Sequence, residues 1–240
     1  MLTRERFEQE LAGRQTPEVR ERLREGTVAV AGLGGLGSNI ALMLARTGIS
    51  KLFLADFDRV DPSNLNRQAY TISQIGMKKT EAMSELIRQV NPWIELEFFD
   101  GRVTQENAAE LFRTYPIICE AFDSPEAKAD LVNSILSQLP GNTVISGSGM
   151  AGAYSSNQIK TAKKMKRLYV CNGLYHIDGE RKDYSAFLSF ARSPIRLFLY
   201  GDVPETTKYV HLSSRQVYSP LSDTKQLLHN VCQESERMEI

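Results

Sequence analysis

The chain has 240 residues, 42% of them hydrophobic and 24% charged, with 29 Lys and Arg against 29 Asp and Glu. That length buries a substantial core without disulfide or metal staples, and a zero formal charge leaves no global field to draw nucleic acid or anionic lipid. Cys119, Cys171 and Cys232 are widely spaced and form no Cys-x-x-Cys pair, the amino terminus MLTRERFEQE is charged, and no run approaches the roughly 20 apolar residues of a membrane span. The expectation is a cytoplasmic protein without structural zinc, nucleic-acid partner or membrane anchor.

Residues 3–25 carry Phe7, Leu11, Val19 and Leu23 among charges and predict one or two short helices broken at Pro17. Thr27–Gly32 (TVAVAG) is a short β-branched strand, and the apolar spacing over 36–47 is helical. The alternation then runs Lys51–Ala55 strand, Thr80–Val90 helix, Ile94–Phe99 strand, Asn107–Phe112 helix, Ile117–Phe122 strand, Pro125–Leu139 helix and Thr143–Ser146 strand. Strand and helix in turn predict an α/β fold with a doubly wound, Rossmann-like, mostly parallel sheet. After Gly147 the alternation stops, Ile159–Thr161 and Leu168–Cys171 being short strands at best. The expected organisation is a helical arm over 1–26, a nucleotide-binding domain over 27–172, and an irregular, divergent carboxyl-terminal segment over 173–240.

In GLGGLG, Gly32, Gly34 and Gly37 follow a G-x-G-x-x-G pattern, with Gly35 between them, at a strand-to-helix turn. Missing Cβ atoms there let backbone N–H groups and a helix N-terminus approach a phosphate or ribose. Asp56 ends the next strand, 19 residues after Gly37, where a carboxylate grips a ribose hydroxyl. A tight turn and a solvated strand-end carboxylate are the bland alternatives. These features suit an NAD-dependent oxidoreductase as well as an ATP enzyme.

The next stretch separates the two. FDRVDPSNLNRQAYTIS, about 17 residues, replaces a link that usually takes about 2–6, and a long loop at the carboxyl end of a sheet strand is a candidate active-site segment. Its Asp58, Asn64, Arg67 and Gln68 suit a polyphosphate, Arg offering a fixed fork of donors. Lys79 falls in the first turn of the following helix, where a cation opposes the helix dipole unless an anion is bound there. Asp123 follows the apolar run IICEAF and reads either as a Mg²⁺ ligand or, with Ser124 before Pro125, as a helix start. Cys171 reads as a buried cysteine more readily than as a persulfide or thioester carrier.

GLGGLGSN, DFDRVDPSNLNRQ, IGMKKTEA and EAFDSPEAK, in this order, resemble the ThiF/MoeB/HesA family of ubiquitin-activating-enzyme-like adenylyltransferases, nearest to short ThiF-like members that lack the zinc-binding cysteine pairs. The resemblance spans roughly residues 20–170. It implies that Asp56 holds the ribose, that Asn64, Arg67 and Lys79 hold the phosphates of ATP, that Asp58 lies near the nucleotide and that Asp123 binds Mg²⁺. It also implies a homodimer, in which an arm arginine serves the partner's site; Arg14 is the candidate, with Arg4, Arg6 and Arg20 competing. The implied reaction is adenylation of the C-terminal glycine of a small ubiquitin-like sulfur-carrier protein, as in thiamine biosynthesis, with a sulfurtransferase as a further partner. A nucleotide-binding scaffold without turnover is the third reading. The segment Gly173–Ile240 is unlike the family's usual ending.

Overall fold

The structure, a computed structural model, describes residues 2–147 and 160–172. The segment 173–240 and Cys232 lie outside the described residues. Two helices open the chain, α1 (Arg4–Ala12) and α2 (Pro17–Glu25). Pro17 sets the break by occupying the first turn of α2, where its missing N–H costs nothing, while the Thr16 hydroxyl accepts from the Val19 N–H.

Among the described residues the sheet has seven strands: β1 (Thr27–Ala31), β2 (Lys51–Ala55), β3 (Glu95–Phe99), β4 (Ile117–Glu120), β5 (Thr143–Gly147), β6 (Lys160–Met165) and β7 (Leu168–Asn172), in the order β3-β2-β1-β4-β5-β7-β6. Only β6 runs antiparallel to its neighbour. The helices α3 (Gly35–Thr47), α4 (Lys79–Val90), α5 (Gln105–Phe112) and α6 (Pro125–Gln138) connect the parallel strands. Alternate residues of β1 feed two cores: Val28 and Val30 pack with Ile40, Leu44 and Met83 of α3 and α4, while Ala29 and Ala31 pack with Phe112, Leu131 and Ile135 of α5 and α6. The expected doubly wound α/β sheet is therefore present, and β1 next to β4 is its switch point, where the chain turns from building one side to building the other.

The last two strands are longer than the sequence predicts, and β7 extends the sheet beside β5. Arg167, between them, donates to the carbonyls of Leu139 and Asn142 at 2.6 and 2.8 Å and of Leu136 at 2.7 Å, so one guanidinium caps the end of α6 and fixes the hairpin. Cys171 lies within β7, 5% exposed, and Cys119 lies buried in β4. Among the described residues no helix is long and apolar enough to cross a membrane.

Candidate functional site

At the carboxyl ends of β1 and β4 two turns touch. A Cβ on Gly32, whose φ is +90°, would meet the Ala121 carbonyl oxygen at 2.9 Å and the Phe122 ring at 3.0 Å. A Cβ on Gly37 would lie 1.8 Å from the Gly32 carbonyl oxygen, so this position brings α3 against the turn. Gly34 has nothing within 4 Å of such a Cβ, and the stem of Arg67 packs over Gly35, its Cγ 3.3 Å from that point. The N-terminus of α3 thus faces open space with a guanidinium-bearing side chain across it.

The Asp56 carboxylate ties the turn to β2. It accepts from the Leu33 N–H at 2.6 Å and the Asp58 N–H at 2.8 Å. Burial pushes its pKa above the ordinary carboxylate value, against the opposing pull of Lys79 and of these two amides.

The loop between β2 and α4 folds back over the glycine turn. Tyr70 donates its hydroxyl to the Leu33 carbonyl at 2.8 Å, the Ala69 N–H donates to Ser38 Oγ at 3.2 Å, and Asn39 Nδ2 reaches the Arg67 carbonyl at 3.3 Å. Burial raises the Tyr70 hydroxyl's pKa strongly, so it stays protonated as the donor. Pro62–Asn64 forms one 3₁₀ turn, and Asn64 Oδ1 accepts from the Asp61 N–H at 3.1 Å in a reciprocal cap. Arg67 Nη1 donates to the Ser63 carbonyl at 3.2 Å and to Asn66 Oδ1 at 3.0 Å. Gln68, beside it, is buried, and its Oε1 is the one buried side-chain polar atom among the described residues without a partner.

Lys79 opens α4 as the sequence predicts, yet it is only 5% exposed. Its Nζ lies 2.8 Å from Asp58 Oδ2. Lys78, by contrast, is a surface lysine paired with Asp100 at 2.9 Å.

Asp123 is exposed on the β4–α6 turn, and among the described residues no side-chain partner meets its carboxylate. Ser124, not Asp123, caps α6, its Oγ accepting from the Ala127 N–H at 3.3 Å. The cap therefore leaves Asp123 free for another role.

Gly32, Gly34, Gly35, Gly37, Asp56, Asp58, Asn64, Arg67, Lys79 and Asp123 all lie on the turns, loops and first helical turns that follow the carboxyl ends of strands of one sheet. Arg14 does not. It is exposed in the α1–α2 turn beside Gln15, whose Nε2 donates to the Thr47 carbonyl at 2.9 Å, at the far end of α3. The 13 residues of α3 put that point about 20 Å from the glycine turn, beyond the reach of an arginine. Arg4 and Arg20 are drawn to Glu8 at 2.9 and 3.9 Å, and Arg6 sits on the same exposed helix as Arg4.

These residues suit a polyphosphate with a divalent cation: a glycine-lined helix N-terminus, Arg67 on the loop across it, Lys79 at the start of α4, and one open carboxylate. Mg²⁺ commonly takes one or two protein carboxylates and completes its shell with phosphates and water. Sequence reasoning missed Glu120, fully buried at the end of β4. It accepts from the Phe122 N–H at 2.8 Å, Lys128 Nζ at 3.0 and 3.1 Å and Ser146 Oγ at 2.5 Å. Its only signal was a glutamate closing an apolar strand, IICE, all four residues of which are buried.

A profile of the ThiF family matches residues 8–189, and the chain belongs to that family. Among curated relatives it is 34% identical over 190 residues to tRNA threonylcarbamoyladenosine dehydratase from Haemophilus influenzae, spanning 76% of this chain and 69% of that protein. It is 36% identical over 109 residues to the sulfur carrier protein adenylyltransferase of Thermus thermophilus, spanning 45% of this chain and 40% of that one. Among solved structures the fold matches E. coli tRNA N6-threonylcarbamoyladenosine dehydratase, TcdA, in complex with AMP, with a TM-score of 0.72 at 23% identity, over 83% of this chain and 96% of that one.

Proposed function

We propose that the chain binds Mg-ATP in the crevice between the β1 and β4 turns and adenylates a carboxylate, that of the C-terminal glycine of a small ubiquitin-like sulfur-carrier protein. The observation that carries this is the set of groups around one glycine turn: Arg67 with its stem over Gly35, the buried Lys79 beside Asp58, and Asp123, next to the Phe122 that meets Gly32 and without a side-chain partner among the described residues. A nicotinamide cofactor would give that trio little to do. Family membership supports an adenylating enzyme, and the structural relatives solved with AMP and with ATP support the nucleotide.

In this reading Asp56 holds the ribose, while Asn64, Arg67 and Lys79 hold and neutralise the phosphates. Asp58 keeps Lys79 extended until phosphate displaces it, and Asp123 holds Mg²⁺, which supplies further neutralisation of phosphate charge. The unpartnered Gln68 acceptor beside Arg67 is the kind of buried group that a polar ligand completes. The substrate carboxylate attacks the α-phosphorus, pyrophosphate leaves, and an acyl-adenylate forms. A carboxylate is already a nucleophile at neutral pH, so alignment and charge neutralisation suffice. Arg14 acts in the crevice of a second copy, since its own lies at the other end of α3.

One observation favours a second substrate. The tRNA threonylcarbamoyladenosine dehydratase matches over 76% of this chain, against 45% for the sulfur-carrier enzyme, which favours a carboxylate carried on tRNA. Pyrophosphate exchange tests both: stimulation by a carrier protein ending in glycine supports the first, stimulation by threonylcarbamoylated tRNA alone replaces it with the second. Tight calorimetric binding of NAD without ATP binding overturns both.

A further inference from the structure

Glu120 and Lys128 form a charge pair that stability does not call for. The glutamate is fully buried, the lysine side chain is 17% exposed, and Lys128 sits in the first turn of α6, where a cation opposes the helix dipole. Apolar residues of similar volume usually stabilise such a place as well or better. The pair lies on either side of the Phe122–Ser124 turn that carries Asp123, and both Glu120 oxygens are engaged with Lys128. Ser146 Oγ, from the end of β5, and the Phe122 N–H fix the carboxylate from two further directions. Asp123 meanwhile meets no cation among the described residues, although Lys128 is only five residues further along the chain.

We infer that Glu120 is a positioning residue that holds Lys128 away from Asp123, keeping the Asp123 carboxylate open for the divalent cation. This rests on the reading of Asp123 as the metal-binding residue. With Glu120 anchored in the sheet, Lys128 is drawn inward beneath the turn. Without it, Lys128 is left an unpaired cation five residues along the chain from the carboxylate the metal needs. The Phe122 amide bond acts in the same direction, since it fixes the residue before Asp123 to the same anchor.

The test compares wild type, E120Q, E120Q/K128M and D123N. Mn²⁺ affinity is measured by electron paramagnetic resonance in protein holding one equivalent of a non-hydrolysable ATP analogue, and the Mg²⁺ requirement of pyrophosphate exchange is measured alongside. E120Q should weaken Mn²⁺ binding and raise the half-saturating Mg²⁺ by about tenfold, as loss of a group that orients a metal ligand commonly does. E120Q/K128M, with the competing lysine gone, should return to within about twofold of wild type, a rescue that a merely structural role would not give. Wild-type metal affinity in E120Q while D123N is impaired overturns the inference alone. An E120Q defect that K128M fails to rescue does the same. Wild-type metal affinity in D123N overturns the reading beneath it as well. If E120Q unfolds below the assay temperature, E120D and E120D/K128M replace the first pair, the shorter acid keeping its charge but withdrawing from Lys128; the same weakening and rescue are expected, and their absence overturns the inference.

Discussion

Lys79 Nζ lies 2.8 Å from Asp58 Oδ2, and the Lys79 backbone N–H also donates to the Asp58 carbonyl at 3.0 Å, so one residue holds the lysine at both ends. A lysine at the start of a helix and almost wholly buried is electrostatically costly in isolation, and the half-exposed Asp58 offsets that cost while leaving the ammonium exchangeable. Lys79→Ala should lower the rate of pyrophosphate exchange by the equivalent of about 2–4 kcal/mol, as does removal of other preorganised charge stabilisers. Single-turnover adenylate formation checks it, and an unchanged rate would leave Lys79 a structural partner of Asp58.

Asp123→Asn and Ser124→Ala should separate metal binding from capping. The first should abolish Mg-dependent exchange and leave the unfolding temperature nearly unchanged, because Asp123 is not the cap of α6. The second should cost about 1 kcal/mol of stability and leave the Mg²⁺ requirement as it is. Exchange rates and thermal unfolding on both variants decide. Full exchange activity in the Asn variant across a Mg²⁺ titration would sink the metal assignment.

Two glycines predict opposite outcomes. At Gly37 an added methyl collides with the Gly32 carbonyl, so Gly37→Ala should lose about 2–3 kcal/mol or more and lose nucleotide binding with it. At Gly34 there is free space and an ordinary φ of −73°, so Gly34→Ala should fold normally. Its ATP affinity should fall all the same, because the methyl stands where the backbone meets the phosphates. Chemical denaturation with calorimetry distinguishes the pair, and unaltered ATP affinity in Gly34→Ala would place the nucleotide elsewhere.

Tyr70→Phe removes the buried donor of the Leu33 carbonyl and should cost about 1–3 kcal/mol. Hydrogen exchange should show 57–78 and the glycine turn opening together. If exchange accelerates in the loop but not in the turn, the two are not coupled through this bond.

The arm carries a pH signature. Hydrogen bonds from Arg24 and then Arg4 hold the Glu8 carboxyl below its ordinary value of 4.5. A lowered folded-state value means stability that is present above about pH 4.5 and lost as the pH falls through the folded value. Trp93, the single tryptophan, has its ring centroid 5.0 Å from that of Phe7 of α1 and reports the docking. Its fluorescence should change on acidification below that point. Glu8→Gln should be flat over the same range, and a wild-type trace equally flat would remove Glu8 from the account.

Much of the sheet was legible because parallel strands covered on both faces are continuous apolar runs. Lys51–Ala55 is found at its predicted bounds, and α4 starts one residue before its predicted start at Thr80. The edge was less legible: KTAKKM of β6 has no apolar alternation, and pairing with β7, not its own pattern, keeps it a strand. Residues 56–79 were legible as a site through composition and length, but their closure over the glycine turn depends on Tyr70, Asn39 and Ser38 meeting partners 28 to 37 residues away. Glu120 was hidden for the same reason, since Ser146 is 26 residues distant. Asp123 and Ser124 were equal candidates for the cap until the backbone chose one.

The placement of the arm has a genetic reading. Arg14 stands at the foot of α3 and the crevice at its head, so one copy of the gene cannot join the two within its own product. If Arg14 serves a neighbouring chain, a copy damaged at Arg14 and a copy damaged at Asp123 are each inactive alone, yet expressed together they assemble some pairs with one intact crevice. Such alleles would complement each other, whereas two alleles damaged at Lys79 and Asp123, both in the same crevice, would not.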